Sequence, residues 1–304
     1  MALAGHSLPR LTEATFTPER TRSVLRAACE RAGLDARGAE LLRHQTNAVF
    51  RLATVPVIVK VARPNIRHTA AVVSLIGWVV DHGVPTVPLL PDVPQPLEVA
   101  GCGVTFWRYL PPTRPIAADD IAVPLRALHD APLPPFPLPE LDALGAIHHS
   151  IQASTILSPP ERGVLLRRWS RLVDMVPRLR YDGPPRLIHG DPQHRNTLWD
   201  DAEDRPVLCD WDSAVIGPVE WDLVTIEVHC RRFGFPEREY QSFCSRYGRD
   251  IREWDGFATV RDLRELRMVT TNARKAADGS PQADEVRRRI TALEAGDEIG
   301  WTIL

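Results

Sequence analysis

The stretch HGDPQHRNTLWD, residues 189–200, sets His189, Asp191 and Asn196 on one polar loop between the apolar pairs Leu187-Ile188 and Leu198-Trp199, with no cysteine nearby. An asparagine carbonyl is a hard oxygen donor. So is the carboxylate of Asp210, which ends the apolar run VLC further along. Two such donors suit Mg2+ bound together with substrate phosphates. The intervening DDAEDRP is rich in turn formers, so a strand–loop–strand hairpin is expected to return Asp210 beside Asn196. Asp191, held free of the metal, can accept or orient the proton of an attacking hydroxyl. Lys60, inside the apolar pattern VPVIVKVARP, can offer positive charge to nucleotide phosphates. Positioning and charge stabilisation of this kind are most of what phosphoryl transfer asks of a protein.

The same residues support other readings. A lysine in a strand can snorkel at a sheet edge. His189 reads as a structural ring that holds the loop beneath Asp191. His189, Asp191 and His194 have the His-x-Asp-x-x-His spacing of a metal-dependent hydrolase, but that reading gives no work to Lys60 or to the pairing of Asn196 with Asp210. Otherwise His194 reads as a solvent-facing loop residue. Asp212 reads either as a second acid near the metal or as a surface turn residue.

These side chains need elements to hold them. Thr17-Pro18-Glu19 predicts a helix start, with an N-cap hydroxyl, proline at the first helical position and an acid in the first turn. That helix runs to about Arg31. Leu41-Leu42, Val49–Leu52 and Val57–Val59 read as three short strands of an antiparallel meander that ends at Lys60. Residues 68–81 carry Ala71, Val72, Leu75, Trp78 and Val79 at helical spacing. Residues 104–110 read as a further strand. After Pro115 the pattern turns helical: 117–130, where Pro124 interrupts the helix or shifts its start; 159–177, with Val164, Trp169, Leu172, Val173 and Val176 on one face; then 218–234, 257–278 and 283–296. RLIHGD and PVLCDWD read as short buried strands that carry the polar motifs.

Composition narrows the setting. At 304 residues the chain exceeds most single small domains, and two lobes are expected, 1–106 and 107–304. A net charge of −2 supplies no basic field for nucleic acid or an anionic membrane. The 5 cysteines are scattered and form no CxxC pair, as expected of a reduced, cytoplasmic chain. The opening MALAGHSLPRL has no early basic cluster and no long apolar run, so no cleaved signal segment is expected. No apolar stretch approaches a membrane span.

Several blocks resemble the aminoglycoside phosphotransferase/choline kinase-like family, in that family's order, over roughly residues 40–225. HGDPQHRN resembles its H-G-D-x-x-x-x-N catalytic loop. VLCDWDSAVIGPVEWDL resembles its next block, and LRALHD its Leu-His stretch. TNAVFRL and VIVKVARP resemble its nucleotide-loop hairpin and lysine strand, and DHGVPTVPLL the turn after its first-lobe helix. The resemblance implies a two-lobed, α+β, protein-kinase-like fold with a small antiparallel-sheet lobe and a larger helical lobe. It implies an ATP- and Mg2+-dependent phosphotransferase acting on a small-molecule hydroxyl. Asp191 then corresponds to the catalytic aspartate, Asn196 and Asp210 to the Mg2+ ligands, and Lys60 to the phosphate-binding lysine. Asp222 corresponds to the D-L aspartate, which braces the catalytic loop or touches substrate. Residues 104–110 correspond to the connector whose backbone meets the adenine.

One position departs from the pattern. Kinase-like folds pair the strand lysine with a helix glutamate, and residues 68–81 contain none. A kinase-shaped nucleotide-binding pseudo-enzyme or regulatory protein is therefore the alternative reading. The acceptor is open between aminoglycoside-like, amino alcohol and sugar compounds. Around the fourth late helix, Asp255, Asp262 and Glu265 alternate with Arg261, Arg264 and Arg267. Acids would suit an amine and arginines a sugar acid or phosphate, but nearly all of these are expected on a solvated helix face.

Overall fold

Alternation in VIVKVA decides where Lys60 points. In a computed structural model that describes residues 10–12 and 15–304, this segment is β3 (Val57–Ala62), whose Val57, Val59 and Val61 are buried. Residues 1–9, at the start of the stretch read above for a signal segment, lie outside the described residues.

The chain divides into two compact units, one of Met1–Pro115 with Leu198–Asp212 and one of Ile116–Thr197 with Ser213–Leu304. The first holds β1 (Glu40–His44), β2 (Asn47–Arg51), β3, β4 (Leu97–Val99) and β5 (Cys102–Arg108) in an antiparallel sheet of order β1-β2-β3-β5-β4. Cross-strand register sets Leu41, Phe50, Val59 and Phe106 in one row. That face packs on α1 (Pro18–Arg31) through Val24, Leu25 and Ala28. The adjacent row, Arg43, Val49, Lys60 and Thr105, lies on the opposite face. Leu41 and Arg43 reach opposite faces because the register shifts between them, so Leu42 is an extra residue in the strand. α2 (Ile66–Asp81), capped by Asn65 through its side-chain acceptor for the His68 N–H, packs against β5.

The first unit also contains most of the hairpin of β7 (Thr197–Asp200) and β8 (Arg205–Leu208). The end of β8 is fixed to the segment after α2: Val87 N donates to Leu208 O at 3.0 Å and Leu208 N to Pro85 O at 3.0 Å. Trp211 is buried and its indole N–H donates to Thr86 Oγ1 at 2.8 Å. Asp210 is thus pinned from both sides.

The second unit is mainly helical. It holds α3 (Ala118–Asp130), α4 (Ala143–Ala153), α5 (Pro159–Met175), α6 (Val219–Arg232), α7 (Glu237–Tyr247), α8 (Phe257–Lys275) and α9 (Pro281–Ala295), with α8 packed against α4, α5, α6 and α9. β6 (Arg186–Ile188) pairs antiparallel with β9 (Val215–Gly217). Three details differ from the sequence reading. α3 runs continuously through buried Pro124, which forgoes one helical hydrogen bond without ending the helix. α5 buries Leu165 and Leu172 and leaves Val173 exposed. α4 and α7 add two helices for which no pattern was singled out.

Candidate active site

In the first unit, the sheet face opposite α1 presents Lys60 to two acids. Its Nζ lies 3.1 Å from Asp210 Oδ1 and 2.8 Å from Asp212 Oδ2. Arg43 Nη2 lies 3.0 Å from Asp210 Oδ2, and Asn47 Nδ2 donates to Asp212 Oδ2 at 2.6 Å. Where α2 has no glutamate to pair with Lys60, the DWD segment supplies two aspartates. Burial opposes the charge on Asp210, but Lys60 and Arg43 outweigh it and hold its carboxyl well below the usual range. Burial likewise works against a charged Lys60, and Asp210 and Asp212 reverse the balance and raise its pKa. Asp210 also has φ 64°, in the left-handed region. Aspartate tolerates that conformation better than most residues. Asp212 is a contact of Lys60, so the surface-turn reading does not describe it.

In the second unit, β6 delivers the loop that begins at His189. Asp222, fully buried on α6, accepts from the N–H of His189 at 2.7 Å and of Gly190 at 2.9 Å. Its Oδ2 also meets His129 Nε2 at 3.1 Å, and His129 Nδ1 lies 2.8 Å from the Tyr247 hydroxyl. Asp222 thus braces loop backbone, and α3 and α7 brace Asp222. Gly190 has φ 82°, and a Cβ there would stand 2.2 Å from Ser213 O. Only glycine lets the chain turn this closely. The Gly190 carbonyl accepts from Trp221 Nε1 at 3.0 Å and from Arg264 Nη1 at 3.2 Å.

The turn exposes Asp191 to three donors. Oδ2 accepts from Gln193 Nε2 at 2.8 Å and Asn196 Nδ2 at 3.2 Å, and Oδ1 is ion-paired to Arg264. Burial pushes its pKa up, yet the Arg264 guanidinium prevails and holds it below the usual range. His229, beside it on α6, is itself pushed down to about 3 by burial, so it is neutral near pH 7. Asn196 gives its amide nitrogen to Asp191 O at 2.9 Å as well, which leaves Oδ1 as the oxygen available to a cation. That oxygen, like the Asp210 and Asp212 carboxylates of the first unit, is a hard donor of the class that Mg2+ takes.

His194 does not face solvent: its ring stacks on Phe235 with centroids 4.0 Å apart. No group of three or more His, Cys, Asp or Glu among the described residues could hold a metal ion, so His189, Asp191 and His194 do not gather as a hydrolase site. The charged face of α8 is not uniformly solvated either. Glu265 is buried against Arg231 and Arg232, Asp262 pairs with Arg168 and Arg171, and Arg264 reaches Asp191. Spacing alone showed these residues; only packing against α5 and α6 shows that they are spent inside the unit. Arg43 and the His129–Tyr247 brace were not legible as site residues, because each acts across a long sequence separation.

A family model described as the phosphotransferase enzyme family, APH, matches residues 38–259. Solved structures share the fold at low identity. A microcompartment-associated aminopropanol kinase superposes with TM-score 0.71 at 17% identity, covering 90% of this chain and 95% of that one. Amicoumacin kinase hAmiN, in complex with AMP-PNP, Ca2+ and Ami, gives TM-score 0.69 at 12% identity over 93% and 96%. Choline kinase LicA from Streptococcus pneumoniae gives 0.64 at 17% over 91% and 99%. No curated protein matches the sequence. Among the described residues, no helix is long and apolar enough to cross a membrane.

Proposed function

The chain belongs to the phosphotransferase enzyme family, and on that premise we propose that it transfers the γ-phosphoryl group of ATP to a hydroxyl of a small molecule. The acceptor oxygen forms a new bond to the γ-phosphorus, the bond from that phosphorus to the β,γ-bridging oxygen breaks, and ADP leaves. Asp191 orients the acceptor O–H and takes its proton as the new bond forms. Its depressed pKa makes it a weak base, suited to a loose transition state in which the proton leaves late. Lys60 is the proposed nucleotide phosphate contact, so the nucleotide-binding role falls to the N-terminal lobe, expected to end near residue 106. Asn196 and Asp210 are the proposed Mg2+ ligands, with Asp212 adjacent on Lys60. Mg2+ supplies charge neutralisation at the phosphates. Asp222, His129 and Trp221 keep the loop backbone fixed while Asp191 works.

The observation that carries this reading is the loop itself: Asp191 is held charged and oriented by three donors, inside a stretch the family model covers. The names of similar folds, kinases of aminopropanol, choline and amicoumacin, one of them bound to AMP-PNP, favour a small hydroxyl acceptor and ATP. Purified protein with γ-labelled ATP and Mg2+ should label at least one compound in a panel of amino alcohols, sugars, hydroxy acids and aminoglycosides. Tight Mg2+–ATP binding with no labelled product from any class would instead support the pseudo-enzyme.

A further inference from the structure

Asp191 is matched by Arg264, whose side chain is 7% exposed and lies over the Trp221 ring at 5.3 Å. One turn further along α8 stands Arg267, half-buried and without a matching carboxylate. Among the described residues its hydrogen bond is from Nη1 to the Thr271 hydroxyl at 2.7 Å, and no acid lies within ion-pair distance. The two acids that act on it from further away are already engaged. Asp191 is paired with Arg264, and Asp142 Oδ1 caps α4 by accepting from Gly145 N at 2.8 Å. Burial and the like charges of Arg264 and Arg274 push Arg267 down to about 10, against the weaker pull of Asp191 and Asp142. A guanidinium kept half-buried beside like charges is a standing cost to the fold. An anion arriving from solvent would remove that cost, and the unspent part of the planar fork matches carboxylate and phosphate oxygens.

We propose that Arg267, backed by Arg264, is an anion subsite beside Asp191, and that the acceptor is a hydroxyl compound carrying a carboxylate or phosphate. The word acceptor rests on the phosphotransferase reading; the anion subsite does not. The arrangement argues against an acceptor recognised through an amine, since a guanidinium with no carboxylate of its own would repel it.

Isothermal titration of the full chain with four small probes tests this: glycerate, glycerol 3-phosphate, glycerol and ethanolamine. At least one anion should bind ~10-fold or more tighter than glycerol and ethanolamine, as expected for a charge-assisted fork. Glycerate ahead assigns a carboxylate, glycerol 3-phosphate ahead a phosphate. Arg267→Gln should erase the preference while leaving the Kd of Mg2+–ATP within a few-fold. Arg267→Lys, which keeps the charge and loses the fork, should retain part of it and serves if the glutamine variant does not fold. Anions no tighter than glycerol, ethanolamine tightest, or a preference that survives Arg267→Gln would overturn the proposal. So would a weakened ATP Kd with unchanged anion binding, which would assign Arg267 to the nucleotide. A labelling assay on the same probes separates the two readings. Anion binding through Arg267 with no transfer to any hydroxyl compound would sink the phosphotransferase reading alone, and transfer to ethanolamine that Arg267→Gln leaves unchanged would sink the subsite alone.

Discussion

At Asp191, Gln193, Asn196 and Arg264 converge on one carboxylate that burial alone would make a stronger base. Arg264 is the largest of the opposing influences, so its removal has a signed consequence. In Arg264→Met the Asp191 pKa should rise, because burial is then less opposed, and the acid limb of the kcat/KM–pH profile should move to higher pH. An unchanged acid limb would mean that Asp191 is not the group that must be ionised. Asp210 needs a substitution that respects its φ of 64°. Asn tolerates the left-handed region as Asp does, so Asp210→Asn removes charge without adding backbone strain. Metal-linked nucleotide binding should weaken by at least ~10-fold, since even outer-shell changes cost that much. A Mg2+ titration of nucleotide affinity identical to wild type would reassign the ligand, with Asp212 next.

The elements show which sequence signals carry furthest. Strict alternation in β3 places Lys60 opposite Val59 and the core without any long-range information, and the meander β1-β2-β3 follows from three short apolar runs separated by turns. The β7–β8 hairpin follows from the turn formers at 201–206. The bulge at Leu42 has no such signature, yet in a regular strand Arg43, two residues on, would share the core face with Leu41. The β6–β9 pairing was also illegible, because each strand is three residues long and neither has a period to read. The resemblance marks Asp222 as a brace of the loop or a substrate contact, but what stands behind it was hidden for a related reason: His129 and Tyr247 lie on other helices, and helical spacing reveals a face but not its partner. This brace has a measurable weight. His129→Leu leaves one Asp222 oxygen without its ring partner in a buried site, which should cost about 1–3 kcal/mol. Urea unfolding reads this as a lower midpoint at unchanged slope. A variant as stable as wild type would show that the His189 and Gly190 N–H groups hold Asp222 unaided.

For the whole molecule, the ionisable groups fix a direction for stability against pH. His229 is held down from 6.5 to about 3, so the unfolded chain binds its proton first. Stability is therefore lost as pH falls from about 6.5 toward about 3. Asp191, Asp210 and Glu265 are also held below their usual values, and their contribution is present above the ordinary carboxylate range and lost below it. Glu227 is shifted the other way and opposes them. Unfolding free energy should thus already fall between pH 6.5 and 4.5, and His229→Gln should flatten that part of the curve; an equal slope in the variant would place the titration elsewhere. The proposed reaction divides chemistry at Asp191 from nucleotide binding at other residues. Its most direct measurement is Asp191→Asn, with Mg2+–ATP affinity and single-turnover phosphoryl transfer determined on the same preparation. Affinity should stay within a few-fold of wild type and transfer should slow by at least ~10²-fold, the range for a lost general base. Transfer at the wild-type rate, or nucleotide binding abolished along with it, would contradict the role given to Asp191.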